Sequence, residues 1–464
     1  MENNNLEKET ENSTFQNRTM IKGFLVGVLT LCLLIPIPFI LNLIEEREQN
    51  KEKVMTELTN KWSEKQTVYG PFIEITHLEK QTDDKGKTVS KQQKTYISAD
   101  NLNIKGSVNA QLKNRSIYDV TVYTTKLNLE SKFKNFQEIL KNSEIDANNI
   151  ISTKLIFGIT DSKGYESNVI AKSGGKNYPL IADNQIFYTP EPTPAVASEN
   201  SYDSTPTKEN KTVTEFQLLS QKIDIETFNF NKVTIQLSAK GSQLLNFIPS
   251  GINTYVNLTT NWKDLKYDGN FLPNETPIYK DGKTNIVWSI YQQNPLQGQI
   301  WKDASNFSNY SFGVNFLQMN DHYEKTYRST KYAILFISLT FAAFFFIEIK
   351  NRFNIHLVQY ALVGIAICVN FVLLISLSEY IGFDYSYLIS SGATILLITF
   401  FINTFLQSYR LTFKISLMLI LLYSFIYSLL QLKEHALLVG SIGLFIIVAI
   451  IMYYSKNIEW NKVK

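Results

Sequence analysis

Cysteine is nearly missing from this chain: there are two in 464 residues, Cys32 and Cys368, and none between residues 45 and 330. A structural disulfide or a cysteine-ligated zinc in that long stretch is excluded. Histidine is as scarce. His77, His322, His356 and His435 are scattered along the sequence, and no spacing gathers the several ligands a metal needs, so each is expected in an ordinary polar or interfacial role. The sequence also lacks G-x-S-x-G, a Walker loop, H-E-x-x-H, C-x-x-C and G-x-G-x-x-G. No catalytic residue, cofactor or metal site is therefore assigned. A net charge of +3 with no basic patch interleaved by aromatics argues against nucleic acid as a partner.

What is present is a pattern of apolar runs. One covers residues 22–44; five more lie in 331–454, at 331–348, 357–378, 386–406, 414–432 and 436–454. A bilayer core about 30 Å thick takes roughly 20 apolar residues in helix. The mean hydropathy of −0.09 hides this by averaging two unlike parts. The expected fold class is a membrane protein, α + β, with six transmembrane helices (one N-terminal, five C-terminal) and a large inserted mainly-β domain. Within these C-terminal runs the stretches 332–347, 357–378, 386–406, 415–432 and 436–454 hold no Asp, Glu, Lys or Arg, which weighs against an ion-coupled pump. Lys331 and Glu348 at the ends of the first of them are expected to snorkel. Asn370, Ser376, Ser378, Asn403, Ser416, Tyr423, Ser424, Tyr427 and Ser428 are read as polar glue between helices.

Orientation follows from Lys and Arg. The connectors 349–356 and 407–414 and the tail after Tyr454 hold seven (Lys350, Arg352, Arg410, Lys414, Lys456, Lys462, Lys464), whereas the connectors 379–385 and 433–435 hold only Lys433. The rule that basic loops stay inside places residues 1–21 and 455–464 in the cytoplasm and 45–330 outside. The first run lacks a small-residue cleavage site and reads as a retained signal anchor. Pro36 and Pro38 predict a kink in its outer half. Beyond it, Val54, Leu58 and Trp62 give a continuing helix over 45–62 a narrow apolar stripe.

The inserted region reads mostly as strands. Residues 95–112, 117–129, 232–237 and 254–258 alternate apolar and polar. Short helices are expected at 132–141 and 242–247. Pro190, Pro192, Pro194 and Pro206 lie among Ser, Thr, Glu and Asn, so residues 189–213 read as a linker dividing two lobes, 64–188 and 214–320.

Ordered short motifs add a resemblance. The run His356-Leu357-Val358-Gln359-Tyr360-Ala361-Leu362-Val363-Gly364 and the run Ser376-Leu377-Ser378-Glu379-Tyr380-Ile381-Gly382-Phe383 resemble a paired signature of the CreD family of bacterial inner-membrane proteins, with Tyr380 where the family commonly has His. Glu46-Arg47, Tyr69-Gly70-Pro71, Arg115–Val120, Gly158–Asp161, Asp268–Pro273, Phe312-Gly313-Val314, Tyr323, Arg328–Phe336 and Leu339-Thr340-Phe341 follow in the same order. The family-motif residues carried over are His356, Gln359, Tyr360, Gly364, Ser378, Glu379, Gly382 and Phe383. The resemblance implies an inner membrane protein of a Gram-negative envelope with its β domain in the periplasm, and a link to envelope integrity and stress response; it brings no established reaction.

Two function classes remain open at this point. One is a non-enzymatic envelope protein whose periplasmic domain binds a protein, a cell-wall component or a lipid, the bilayer being its other partner. The other is a membrane-embedded enzyme or lipid-handling protein with its site at the periplasmic mouth, where Glu379, Asp384, Glu434 and His435 are expected near one membrane plane; capping of helix ends is the plainer account of that cluster.

Overall fold

The computed structural model describes residues 21–82, 88–115, 118–143, 145–190, 213–291, 300–302, 310–316, 322–351, 355–406, 408–432 and 436–455. The chain divides into two compact units, one made of Met1–Glu52 with Asn320–Lys464, the other of Lys53–Met319.

The first unit is helical. Helix α1 (residues 21–32) ends in a turn over residues 33–35, and α2 (Pro36–Trp62) begins at the proline. Pro36 has no N–H to give, so the chain tightens there: Ile35 N–H donates to Cys32 and Ile37 N–H to Leu34. The expected kink is thus a break just before the prolines. Helix α3 (Phe136–Ser143) belongs to the second unit and lies close to the helix expected at 132–141. The C-terminal helices are α4 (His322–Lys331), α5 (Ala333–Asn351), α6 (Leu357–Ile381), α7 (Phe383–Leu406), α8 (Tyr409–Gln431) and α9 (Ala436–Ser455). Among the described residues, four helical stretches are long and apolar enough to cross a membrane: Ile21–Trp62, Leu357–Ile381, Phe383–Thr404 and Tyr409–Gln431. Helices α4 and α5, bent by 42° at their junction, make a fifth if taken as one span; within α9 the described apolar stretch is Leu438–Ala449. The protein is a membrane protein, with four to five such helices among the described residues and a large mainly-β unit.

That β unit contains β1 (Gln66–Thr82), β2 (Thr88–Arg115), β3 (Tyr118–Lys132), β4 (Ile150–Ile159), β5 (Ile170–Ser173), β6 (Lys176–Pro179), β7 (Ile181–Pro190), β8 (Val213–Lys222), β9 (Val233–Ser242), β10 (Leu244–Phe247), β11 (Gly251–Thr260), β12 (Leu265–Gly269), β13 (Tyr279–Lys280), β14 (Lys283–Tyr291), β15 (Ile300–Trp301) and β16 (Phe312–Phe316). Strand β2 serves two sheets. Its first half, Thr88–Ser98, pairs antiparallel with β1, and its second half, Asn101–Arg115, lies between β3 and a parallel β11. The second sheet runs β13-β14-β11-β2-β3-β9-β5-β6, while β4, β8, β7, β10, β16, β12 and β15 extend the first.

This pairing corrects the expectation of two lobes. Strand β4 pairs with β8 across the Pro-rich stretch, β3 pairs with β9, and β1 takes β10 as a parallel neighbour. Residues 64–188 and 214–320 therefore build both sheets jointly. One core takes Ile73, Leu155 and Phe157 from one sheet and Ile104, Leu129, Ile235, Val256 and Trp288 from the other. The Pro-rich residues 191–212 lie outside the described residues; β7 and β8, which flank them, form a hairpin. The helix expected at 242–247 is also corrected. Leu245 and Phe247 alternate into the core, and β10 is held between β1 and β16.

The end of α2 docks on the outer face of the second sheet. Arg115 reaches Glu57 at 2.9 Å, Lys163 Nζ donates to the Asn60 carbonyl at 3.2 Å, and Lys113 and Lys240 sit 3.6 Å and 4.9 Å from the centre of the Trp62 ring. Asp161 then takes the chain off the helix, accepting from Ser63 Oγ at 3.1 Å and Glu64 N–H at 2.9 Å. The stripe of Val54, Leu58 and Trp62 thus ends at a ring contacted by two lysines.

Candidate functional site

In the helical unit the polar side chains gather at the two ends of α6. At its start, His356 is extended (φ −67°, ψ 147°) and its N–H donates to Gln359 Oε1 at 2.9 Å, which satisfies a donor the helix leaves orphaned. One turn on, Tyr360 is fully buried and donates its hydroxyl to Glu348 Oε2 at 2.9 Å. The same carboxylate accepts Ile355 N–H at 3.2 Å and forms an ion pair with Lys22 from the first helix. Glu348 is 6% exposed. The expectation that it snorkels is corrected: the chain doubles back from α5 into α6, so its side chain points into the bundle toward three donors. A buried carboxylate needs such partners.

A turn further along α6, Gly364 faces the α1–α2 break. A Cβ there would collide with the Leu33 side chain and press on Phe341. Because Ile37 N–H turns to Leu34, the Leu33 carbonyl loses its usual helical donor, and Cys368 Sγ approaches it at 3.6 Å. Deeper in, Thr394 donates to Asn370 Oδ1 at 3.1 Å, Tyr387 to the Tyr423 carbonyl at 2.9 Å, and Thr399 and Ser416 lie 2.7 Å apart. Of the polar set, the side chains of Asn370 and Ser416 thus act as interhelical glue, whereas Tyr423 takes part through its backbone carbonyl. Ser376, Ser424 and Ser428 instead lie on the exposed face of their helices, where Ser376 and Ser428 bond to their own helix backbone.

At the far end of α6, Glu379 accepts the Tyr323 hydroxyl at 2.9 Å and faces Arg47 of α2 at 3.9 Å; its side chain is 7% exposed. Lys51, one turn beyond Arg47, lies 5.6 Å over the Tyr323 ring. The connector expected over 379–385 shrinks to Gly382. At φ +76° it occupies the left-handed region, donates to the Ser378 carbonyl at 3.1 Å, and lets α7 begin at Phe383. Asp384, two residues on, is half-exposed and belongs to a different group. It accepts from Gln431 Nε2 at 2.6 Å and Tyr427 Oη at 3.2 Å, with Lys325 at 3.5 Å. Lys325 also stands 5.4 Å over the Phe383 ring.

The structure thus places Glu379 and Asp384 near one end of the helices without bringing them to a shared partner. Glu434 and His435 lie outside the described residues. Among the described residues, no three His, Cys, Asp or Glu converge as for a metal. Both carboxylates act as acceptors for donors fixed on other helices, which is an arrangement for fastening helices together. Sequence reasoning missed Arg47 and Lys325 as their partners, and Lys22 as the partner of Glu348. The signal was faint, since Arg47 and Tyr323 are nearly 280 positions apart in the chain and only shared motif order tied them.

A family model described as "Inner membrane protein CreD" matches residues 18–461. The Inner membrane protein CreD of Escherichia coli (strain K12) is 28% identical over 439 residues, covering 93% of this chain and 91% of that protein. A crystal structure of a candidate protease from Parabacteroides distasonis aligns with 52% of this chain and 47% of its own at 6% identity and a TM-score of 0.20, a likeness too slight to carry an argument.

Proposed function

As the chain belongs to the CreD family of inner membrane proteins, we propose that it is a six-span protein with both termini cytoplasmic and its β unit in the periplasm, where that unit binds an envelope partner and serves envelope integrity under stress. The observation that carries this reading over an enzyme at the periplasmic mouth is that Glu379 and Asp384 are each held by different donors on other helices, Tyr323 and Arg47 for the first and Gln431, Tyr427 and Lys325 for the second. The excess of Lys and Arg in the connectors 349–356 and 407–414 supports the orientation. Helix α9 supplies the sixth span.

The test is made in cells. Single cysteines introduced at Lys126, Lys280 and Arg410 of a variant lacking Cys32 and Cys368 are treated with a membrane-impermeant maleimide. Labelling at Lys126 and Lys280 but not at Arg410 fits the proposed topology; the reverse pattern defeats it. Photo-crosslinking side chains placed over the β unit then report whether any envelope component touches it.

A further inference from the structure

The outer face of the second sheet carries an unusual set of side chains. Asparagine is depleted in strands because its short amide competes with the ladder and packs poorly on a pleated surface. Yet Asn101 and Asn103 of β2 stand beside Asn253 and Tyr255 of β11 in parallel register, followed by Asn257 beside Lys105. Across β11, Asn253 lies opposite Tyr291 and Tyr255 opposite Ser289 of β14. The partner residues on the reverse side, Leu102, Ile104, Val256, Leu258, Ile286 and Trp288, fill the core. The apolar half of each strand is therefore explained by burial, and the asparagine half is not.

The amides are organised among themselves. Asn253 Nδ2 donates to Asn101 Oδ1 at 3.2 Å, and six residues further along β11 Thr259 Oγ1 donates to Asn285 Oδ1 at 3.3 Å. Each contact uses one polar end of an amide. Tyr255 and Tyr291 stand on this same face, 36% and 73% exposed, two residues apart in register and so roughly 7–8 Å from one another. The α2 end with Trp62 covers the other part of the face, around Lys113 and Lys240.

We propose that this asparagine–tyrosine face binds a neutral polyhydroxylated chain, a glycan. The chemistry is complementary at each point. Amides offer a donor and an acceptor side by side, the pair that neighbouring sugar hydroxyls require. Tyrosine rings give flat apolar surface for the C–H faces of pyranose rings, with a hydroxyl at the rim. The charges on this face, Lys105 beside Asn257 and Glu130 and Lys132 of β3 beside Asn103 and Asn101, are of both signs. Glu130 is paired with Lys232 at 3.0 Å, so the face shows no excess of one sign that would call for a charged ligand. A regular sheet presents these groups in rows, matching a linear repeating polymer. This deepens the envelope-binding reading and rests on it.

The test uses the full-length chain in lipid nanodiscs, titrated with the hexamer of N-acetylglucosamine, with cellohexaose and with hexaglutamate. The expected result is saturable binding of at least one neutral hexasaccharide, with Kd about 0.1–1 mM, and none of the acidic peptide. Tyr255→Ala, Tyr291→Ala and Asn257→Ala should each weaken it about fivefold or more, while Tyr255→Phe keeps most of the affinity. Unchanged circular dichroism and Tm certify the fold of each variant. Absence of saturable glycan binding, or equal binding by the alanine variants, overturns the proposal, as does self-association through this face in place of glycan binding. A photo-crosslinker at Tyr255 separates the two levels. Capture of an envelope polypeptide alongside a flat glycan titration removes the glycan assignment and leaves the envelope-partner reading standing. No capture from any position on the β unit, with no glycan bound, removes both.

Discussion

Tyr360 donates its hydroxyl to Glu348 across 2.9 Å of buried space, and Lys22 closes the other side of the same carboxylate. One acceptor thereby joins the first helix, α5 and α6. Removing one partner from a buried, hydrogen-bonded charge leaves the other uncompensated, at a cost of about 3–5 kcal/mol. Lys22→Ala should therefore lower the Tm of the purified protein in detergent more than Tyr360→Phe, which removes one neutral donor worth about 1–3 kcal/mol. Equal, negligible shifts for both would show that the carboxylate is solvated.

Gly364 is tested by size. Gly364→Leu drives a side chain into Leu33 and Phe341, and overpacking of this kind costs about 1–3 kcal/mol. Leu33→Ala in the same chain should restore part of the lost Tm. Failure of that second change to help would separate the glycine from the α1–α2 break.

The cap at the end of α2 depends on one carboxylate. Asp161 accepts from Ser63 Oγ, Glu64 N–H and Lys163 N–H. Asp161→Ala should destabilise the protein by about 1–2 kcal/mol, and Asp161→Asn by less, since the amide oxygen keeps part of the bonding. Hydrogen exchange at Glu64 is the direct readout, and should quicken in the alanine variant.

Glu57 gives a dependence on pH. Hydrogen bonds from Lys61 and Arg115 hold its carboxyl below the ordinary carboxylate range. The folded state therefore prefers the charged form. Its contribution is present at neutral pH and is lost as pH falls through the depressed folded value. The group is fully exposed, so the effect is small. Glu57→Gln should make the Tm less sensitive to acidification in that window, and 1 M salt should shrink the difference between the two proteins.

Much of the secondary structure was legible. The alternation at 117–129 and 254–258 located β3 and β11, and the Val54–Trp62 stripe located the end of α2. The helix wrongly expected at 242–247 shows the limit of a short window. Ser242–Phe247 is apolar enough for either state, and only pairing of β10 with β1 and β16 decides. The candidate site was less legible. Glu379 and Asp384 were both marked from sequence, but whether neighbours in the chain share a partner depends on how the helix turns at Gly382.

Sequence alone determined what each segment is: runs of about 20 residues without charge can only be satisfied as membrane helices, and period-two segments can only bury one face as strands. Tertiary structure decided which segments meet. It joined strands from both sides of the Pro-rich stretch into one core, turned Glu348 inward to Tyr360, and set Asn253 beside Asn101. Local patterns are fixed by backbone geometry over a few residues, whereas these meetings join residues dozens to hundreds of positions apart, and they are settled by which apolar faces and buried charges find their complements.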